Sequence, residues 1–211
     1  MNSGLKYGWI FLLLAMAGDL LISLVLPLFY KGYSVAKMSI SALGNPKSPV
    51  RIPFNIWMIL EGLFFLLALP SIKKYFGSVS PGLSSSLLVI IALFAVGACI
   101  FTSIFSVNES KEIQTLFSKI HGAASAISFM AFVFVPLLVA ILFFKGGDNG
   151  AGVFSVISFV IGLAFFVLFV MSDKSEFSET IISCEGLWQR LNLLFMYLPL
   201  AFLAVKMLKN Q

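Results

Sequence analysis

The sequence predicts an all-α integral membrane protein, a bundle of six transmembrane helices, and three observations predict it. Charged residues make up 11% of the chain, less than half of the roughly 25% usual in a soluble domain. Hydrophobic residues make up 60%, with 23 phenylalanines among them, more apolar surface than a soluble fold of this length can bury. Six apolar segments each reach the length of about 20 residues that a helix needs to cross a hydrocarbon core of about 30 Å. The same composition excludes a cytosolic enzyme, a nucleic-acid-binding domain and a disordered chain.

The spans are read at about residues 8–30, 54–72, 83–106, 120–144, 152–172 and 186–207, with boundaries good to about 2–4 residues. They account for most of residues 1–211 and leave no room for a soluble domain, so the chain is read as one membrane domain. The first span is too long for a signal-peptide core and contains Asp19, and no small-residue cleavage site follows it. It is expected to be retained.

The connections are short except the first. Residues 31–53 form a long loop with three prolines, Pro46, Pro49 and Pro53, and with Met38, Ile40, Leu43 and Ile52 to hold it against the membrane surface. Loops of that length are usually functional or disordered. Ser155, Ser158 and Gly162 share a helical face and predict close helix packing. Pro27 and Pro136 fall inside spans and predict kinks.

Charge sets the expected orientation. The first, third and fifth loops share one side and carry Lys31, Lys37, Lys47, Arg51, Lys111, Lys119 and Lys174, with Arg190 just inside the sixth span. The other side carries Lys6, Lys73, Lys74, Lys145, Lys206 and Lys209 on much shorter segments. All the acidic clusters (Glu109, Glu112, Asp173, Glu176, Glu179, Glu185) lie on the first side. The denser positive side, with both termini, is placed in the cytoplasm of a cell-membrane protein. The net charge of +5 is scattered through these connections. It reads as topology and contact with anionic headgroups, not as a nucleic-acid surface.

Polar side chains are unevenly distributed in depth. Ser118, His121, Ser125 and Ser128 make one stripe along the loop-side half of the fourth span, and the segment from Phe129 to Phe144 has no polar side chain. Cys99, Thr102, Ser103 and Ser106 cluster toward the same side of the third span, and Gln189, Arg190 and Asn192 toward the same side of the sixth. Asp19 lies near the middle of the first span, and Glu61 lies about 10 Å into the second. An ionisable group at the bilayer centre costs at least about 2.5 kcal/mol and normally faces the bundle interior, pairs, or stays neutral. Arg190 and His121 are the partners expected for the two carboxylates. These four residues therefore predict a polar cavity that opens toward the long first loop. Arg190 also reads as a residue snorkelling to the headgroups, His121 as an interfacial histidine bonded to Ser118 or Ser125, and Glu61 as a structural carboxyl.

Short motifs coincide with those polar positions. Ser41-Ala42-Leu43-Gly44 in the first loop is followed by Phe54-Asn55 and Glu61-Gly62; His121-Gly122-Ala123-Ala124 opens the fourth span, and Gly186-Leu187-Trp188-Gln189-Arg190 opens the sixth. In these motifs the chain resembles the archaeal and bacterial polytopic membrane proteins catalogued as domain of unknown function nine hundred ninety-eight. The resemblance covers nearly the whole chain and implies a six-span fold with no assigned reaction. Phe105-Ser106-Val107-Asn108 departs from the Phe-Pro ending that the family pattern suggests for the third span.

No phosphate-binding loop, nucleophile elbow, His-Glu-x-x-His or Cys-x-x-Cys signature is present. A single histidine cannot supply a three-histidine zinc site, and the two cysteines read as separate thiols. No metal or cofactor is expected. Three functional readings stay open. The first is an accessory or binding subunit, whose polar half takes a membrane-protein partner or a lipid headgroup, with Arg190, Asn55, Ser41 and Ser125 as binding residues. The second is a membrane-embedded enzyme acting on a lipid or isoprenoid at the outer leaflet, with His121, Glu61 and Asp19 as catalytic candidates and Arg190 as the anion anchor. The third is a proton-coupled carrier of small solutes that titrates Asp19. The first is preferred, because no inverted repeat and no catalytic motif supports the others.

Overall fold

The structure is a computed structural model that describes residues 7–108 and 115–209. Lys6, Glu109, Lys111 and Glu112, used above for orientation, lie outside the described residues. Among the described residues there is no strand, and six helices are long and apolar enough to cross a membrane. They are α1 (Gly8–Phe29), α2 (Arg51–Phe76), α3 (Pro81–Ile104), α4 (Leu116–Lys145), α5 (Asn149–Met171) and α6 (Glu185–Lys209). Each packs on its neighbour in sequence, and α6 returns to α1, so the bundle closes as a ring.

The helices overrun the apolar segments by about a turn where local chemistry supports a helix that hydropathy cannot see. Pro53 falls inside the first turn of α2 and not in the loop before it. A proline there gives up an N–H that has no intrahelical partner in any case. At its other end α2 continues through Lys73 and Lys74, whose charges oppose the helix dipole. α4 begins at Leu116 because Thr115 and Ser118 form a capping box: Ser118 N donates to Thr115 Oγ1 at 3.2 Å, and Thr115 N donates to Ser118 Oγ at 3.0 Å. Ser118, first of the polar stripe, is thereby spent on the cap. α5 starts at an Asp148 cap, whose Oδ1 accepts from Ala151 N at 3.0 Å.

Both intramembrane prolines mark breaks. α1 is α-helical to Val25 and then tightens into a 3₁₀ turn, Leu26–Phe29, with Pro27 near its start. α4 stops at Phe132 and resumes at Val135, with Pro136 in the first turn of the second half. The small-residue face of α5 lies against α6, and the hydroxyls of Ser155 and Ser158 donate to carbonyls of their own helix, Ala151 and Phe154. This leaves the contact free of unpaired hydroxyl donors.

α3 departs from α geometry over Phe94–Phe101, which is π-helical. The change of spacing displaces carbonyls from the usual ladder, and Ser128 Oγ from α4 donates to Leu93 O at 3.1 Å. Gly97 makes this approach possible, since a Cβ there would collide with the Ser128 hydroxyl. Beneath this junction four rings from α2, α3, α4 and α6 meet. Phe94 stacks on Phe132 at 4.0 Å between centroids, and Phe65 and Tyr197 close the cluster at 5.8–6.1 Å. The half of the bundle beyond it is packed by Phe76, Val139, Leu142, Phe143, Leu200 and Leu203, all buried.

Candidate functional site

The first loop is folded, not slack. Asn45 organises it: its Nδ2 donates to Ala42 O at 2.7 Å and to Tyr30 Oη at 3.1 Å, and its Oδ1 accepts from Lys47 N at 2.9 Å. This is the Asx-type turn that an Asn-Pro pair favours. The 3₁₀ turn Ile40–Gly44 follows from it and sits over the bundle.

The first turns of α6 grip this loop. Leu187 N donates to Ala36 O at 2.9 Å, and Ile40 N donates to Gln189 Oε1 at 2.7 Å. Gly186 has to be glycine, since a Cβ there would overlap the carbonyls of Val35 and Met38. The Arg190 guanidinium is spread across the joint. Its Nη2 donates to Ser23 O and to Tyr33 Oη, both at 2.9 Å, and its Nη1 to Val35 O and Gly186 O, both at 2.9 Å. Burial pushes the Tyr33 hydroxyl above its ordinary range, and the neighbouring guanidinium offsets part of that rise. The run from Gly186 to Arg190 is thus a clamp joining α1, the first loop and α6.

The clamped loop roofs a cavity of about 450 Å³, measured out to its open mouth. Ile40 and Ser41 of the loop line it, with Asp19 from α1, Glu61 from α2, Thr102 from α3, His121 and Ser125 from α4, and Gln189 from α6. Phe54, Met58, Phe94, Ala98, Phe129 and Leu193 complete an apolar wall. Asp19, Glu61 and Tyr197 each lie roughly 15–18 Å along their helices from the loop-side end, near the bilayer midplane.

At the floor of the cavity the Tyr197 hydroxyl sits between the two carboxylates, 2.9 Å from Asp19 Oδ2 and 3.2 Å from Glu61 Oε1. A phenol has one hydrogen and can donate to one of them. The other contact is a hydrogen bond only if that carboxyl carries a proton and donates it to the phenolic oxygen. Asp19 has the shorter contact and lies within electrostatic reach of Arg190. Glu61 is 1% exposed; its Oε2 has no nitrogen or oxygen partner, and the Cys99 thiol lies beside it. An assignment that satisfies both contacts and follows the shorter one is an ionised Asp19, a Tyr197 hydroxyl donating to it, and a protonated Glu61 donating to Tyr197. The single negative charge of that set balances the single positive charge of Arg190.

His121 forms the upper wall. Its Nδ1 lies 2.7 Å from the carbonyl of Phe105, which the end of α3 leaves exposed. A carbonyl only accepts, so Nδ1 carries the hydrogen, and Nε2 keeps a lone pair. Thr102 Oγ1 donates to Ala98 O at 2.5 Å, so its hydrogen is also committed.

The structure therefore brings together Asp19, Glu61, His121, Ser41 and Ser125 of the residues singled out from sequence. Arg190 is on the far side of the roof, with its donors on carbonyls and Tyr33; neither it nor His121 pairs with a carboxylate. Asn55 lies beneath Gly44 with its Oδ1 buried and unpartnered, outside the cavity. Sequence reasoning placed Gln189 in the polar cluster of the sixth span but gave neither it nor Tyr197 a part in the site. Tyr197 was detectable as the one polar side chain in the apolar part of α6, seven residues from Arg190 and so on the same face. Cys99 and Cys184 are free thiols, and no cluster of metal-ligating side chains occurs among the described residues.

Residues 13–206 match the family described as Protein of unknown function (DUF998). No curated protein and no solved structure matches the chain.

Proposed function

The chain belongs to the DUF998 family of unknown function, and we propose that it is a membrane-embedded binding protein, an accessory subunit that holds a small ligand or a partner's side chain in the half of the bilayer beneath its first loop. One observation carries this reading: the cavity is blind. Its floor is the Asp19–Tyr197–Glu61 set, and below that lie the four-ring cluster and a tightly packed half in which the buried polar groups among the described residues are scattered serine hydroxyls such as Ser71 and Ser84. A site with one mouth binds; it does not conduct. The occupant enters from a lipid headgroup layer or from a partner subunit at the mouth. With the termini in the cytoplasm of the cell membrane, as the charge density suggests, the mouth faces outward.

The test is what stays bound. The protein, extracted into lipid nanodiscs and analysed by native mass spectrometry, is expected to retain a small molecule or a partner subunit. Ser125→Phe, which fills the cavity from α4, is expected to lose it. Each protein appearing only at its own bare polypeptide mass would overturn the reading.

His121 supports a second reading, a membrane-embedded enzyme. His121 lines the cavity that holds Asp19 and Glu61, and with Nδ1 donating to Phe105 O a neutral ring keeps its lone pair on Nε2, so a candidate general base and two carboxyls line one space. Arg190 contributes no anion anchor to such a site, because its donors are engaged. His121→Ala that changes neither membrane lipid composition nor ligand turnover, in a protein that still inserts, removes this reading. A proton-coupled carrier has the least support, since the buried ionisable side chains among the described residues stop at the midplane.

A further inference from the structure

The donor and acceptor inventory of the cavity is lopsided, and the imbalance names an occupant. Asp19 and Glu61 are carboxyls, His121 offers an Nε2 lone pair, and Thr102 has spent its hydrogen on Ala98. Gln189 has its carbonyl oxygen on Ile40 N, which leaves its amide as a donor; the Ser41 hydroxyl donates to Ser39, and the Ser125 hydroxyl can donate or accept, so the uncharged donors of the site are few beside its carboxyls. Among the described residues no lysine or arginine lines the space. Glu61 Oε2, almost fully buried, has no nitrogen or oxygen partner. An anionic head would meet two carboxyls and no cation. A head with several hydrogens and a positive charge would meet acceptors on every side. The wall above the floor carries three rings, Phe54, Phe94 and Phe129, which suit the methylenes and the charge of an alkylammonium.

Charge balance sets the stoichiometry. The groups facing the carboxyl pair are Arg190 and Tyr197 from α6, Cys99 from α3, and His121 from α4. In the free site one negative charge, on Asp19, balances Arg190. A monovalent cation entering this low-dielectric space leaves one positive charge uncompensated unless Glu61 gives up its proton. Resting on the binding reading above, we propose that the cavity binds a primary alkylammonium ion, its head on Asp19 and Glu61, in exchange for the proton that Glu61 holds. The Glu61 O–H bond breaks, its electron pair stays on the carboxylate, and the proton leaves through the mouth to solvent. The buried charge is the same before and after.

The probes are n-butylamine and n-butanol, titrated calorimetrically into the full chain in nanodiscs between about pH 6 and 8, in buffers of differing ionisation enthalpy. An alkylamine with a pKa near that of lysine, about 10.4, stays cationic throughout. One proton is released per amine bound, so affinity rises about tenfold per pH unit. n-Butanol binds more weakly and releases none. Glu61→Gln keeps an N–H to donate to Tyr197 and has no proton to lose; it is expected to bind the amine more weakly than the unaltered protein, without proton release and with a flat pH profile. Amine binding to the unaltered protein without proton release overturns the exchange and leaves the binding reading standing. Butanol binding as tightly as butylamine overturns the choice of a cation, again without touching the binding reading. No amine binding, in a protein that retains another ligand, overturns the proposal alone. Equal amine binding by Ser125→Phe, whose cavity is filled, overturns both.

Discussion

The two halves of this bundle are held together by different interactions. The half beneath the first loop holds both intramembrane carboxyls, the histidine and the arginine. The other half is held by Phe76, Val139, Leu142, Phe143, Leu200 and Leu203, with aromatic rings packed edge to face. Lipid tails are as apolar as these side chains, so the second half gains from close packing and little from leaving water. The first half gains from hydrogen bonds that have no substitute in hydrocarbon. It therefore carries both the specificity of the fold and the site, and the other half is the plug that gives the site a bottom.

Within the polar half the charged residues divide between two jobs. Arg190 builds the roof and touches no carboxylate. Asp19 and Glu61 make the floor and touch Tyr197. The largest expected effect of a substitution is at the roof. Arg190→Ala removes a donor from the carbonyls of Ser23, Val35 and Gly186 and from the Tyr33 oxygen, and removes the counter-charge of Asp19. It is expected to cost at least about 3 kcal/mol in detergent unfolding. Arg190→Lys recovers less than half of that, because one ammonium cannot span the carbonyls that a planar guanidinium reaches.

Phe143→Ala, in the apolar half, sharpens the contrast. It opens a packing defect expected to cost about 2–3 kcal/mol, below the range for a soluble core because lipid is itself apolar. Ligand binding measured in the same protein is expected to stay unchanged. A change in both would mean that the halves are coupled.

Tyr197→Phe removes the hydroxyl between the carboxyls at a cost of about 1–2 kcal/mol. Its more telling readout is infrared. The unaltered protein is expected to show a protonated-carboxyl stretch at neutral pH that disappears in Glu61→Gln and shifts in Tyr197→Phe. If the band survives Glu61→Gln and disappears in Asp19→Asn, the proton is on Asp19.

The smallest effect is at the other end of the bundle. Asp148 and Lys206 pair at 2.7 Å with both side chains about one-third exposed. The Lys206 ammonium holds the Asp148 carboxyl below its ordinary range. The contribution is therefore present above about pH 4 and lost as pH falls through the lowered value. Lys206→Met, which keeps the Asp148 cap of α5, is expected to reduce a slight acid dependence of thermal unfolding and to leave the cavity untouched.

How far the sequence reaches can be judged residue by residue. Six spans and a folded first loop follow from hydropathy and prolines, because burial in lipid is a property of composition over about 20 residues. The gathering of Asp19, Glu61 and His121 follows from their cost in hydrocarbon, which leaves few places for them to go. The role of Arg190 does not follow. A guanidinium is satisfied equally by carboxylates or by backbone carbonyls, and which carbonyls are free depends on the fold of a loop about 150 residues away. Tyr197 shows the same limit from the other side. A tyrosine in an apolar helix carries no intrinsic cost large enough to flag it. Its importance comes from two partners on α1 and α2. The π-helical stretch of α3 and its match to Ser128 likewise arise only from contact between helices.

The central claim is that a blind, acceptor-lined cavity opens on the first-loop side and stops at the midplane. Single cysteines in an otherwise cysteine-free chain test it most directly. Ser125→Cys places a thiol in the cavity, and Val139→Cys places one in the apolar half, where Val139 is fully buried. A cationic methanethiosulfonate, applied in water from the first-loop side, is expected to modify Ser125→Cys and to do so faster than an anionic reagent of equal size. Val139→Cys is expected to react with neither from either side. Equal labelling of the two positions, or faster labelling of Ser125→Cys by the anionic reagent, would contradict the account.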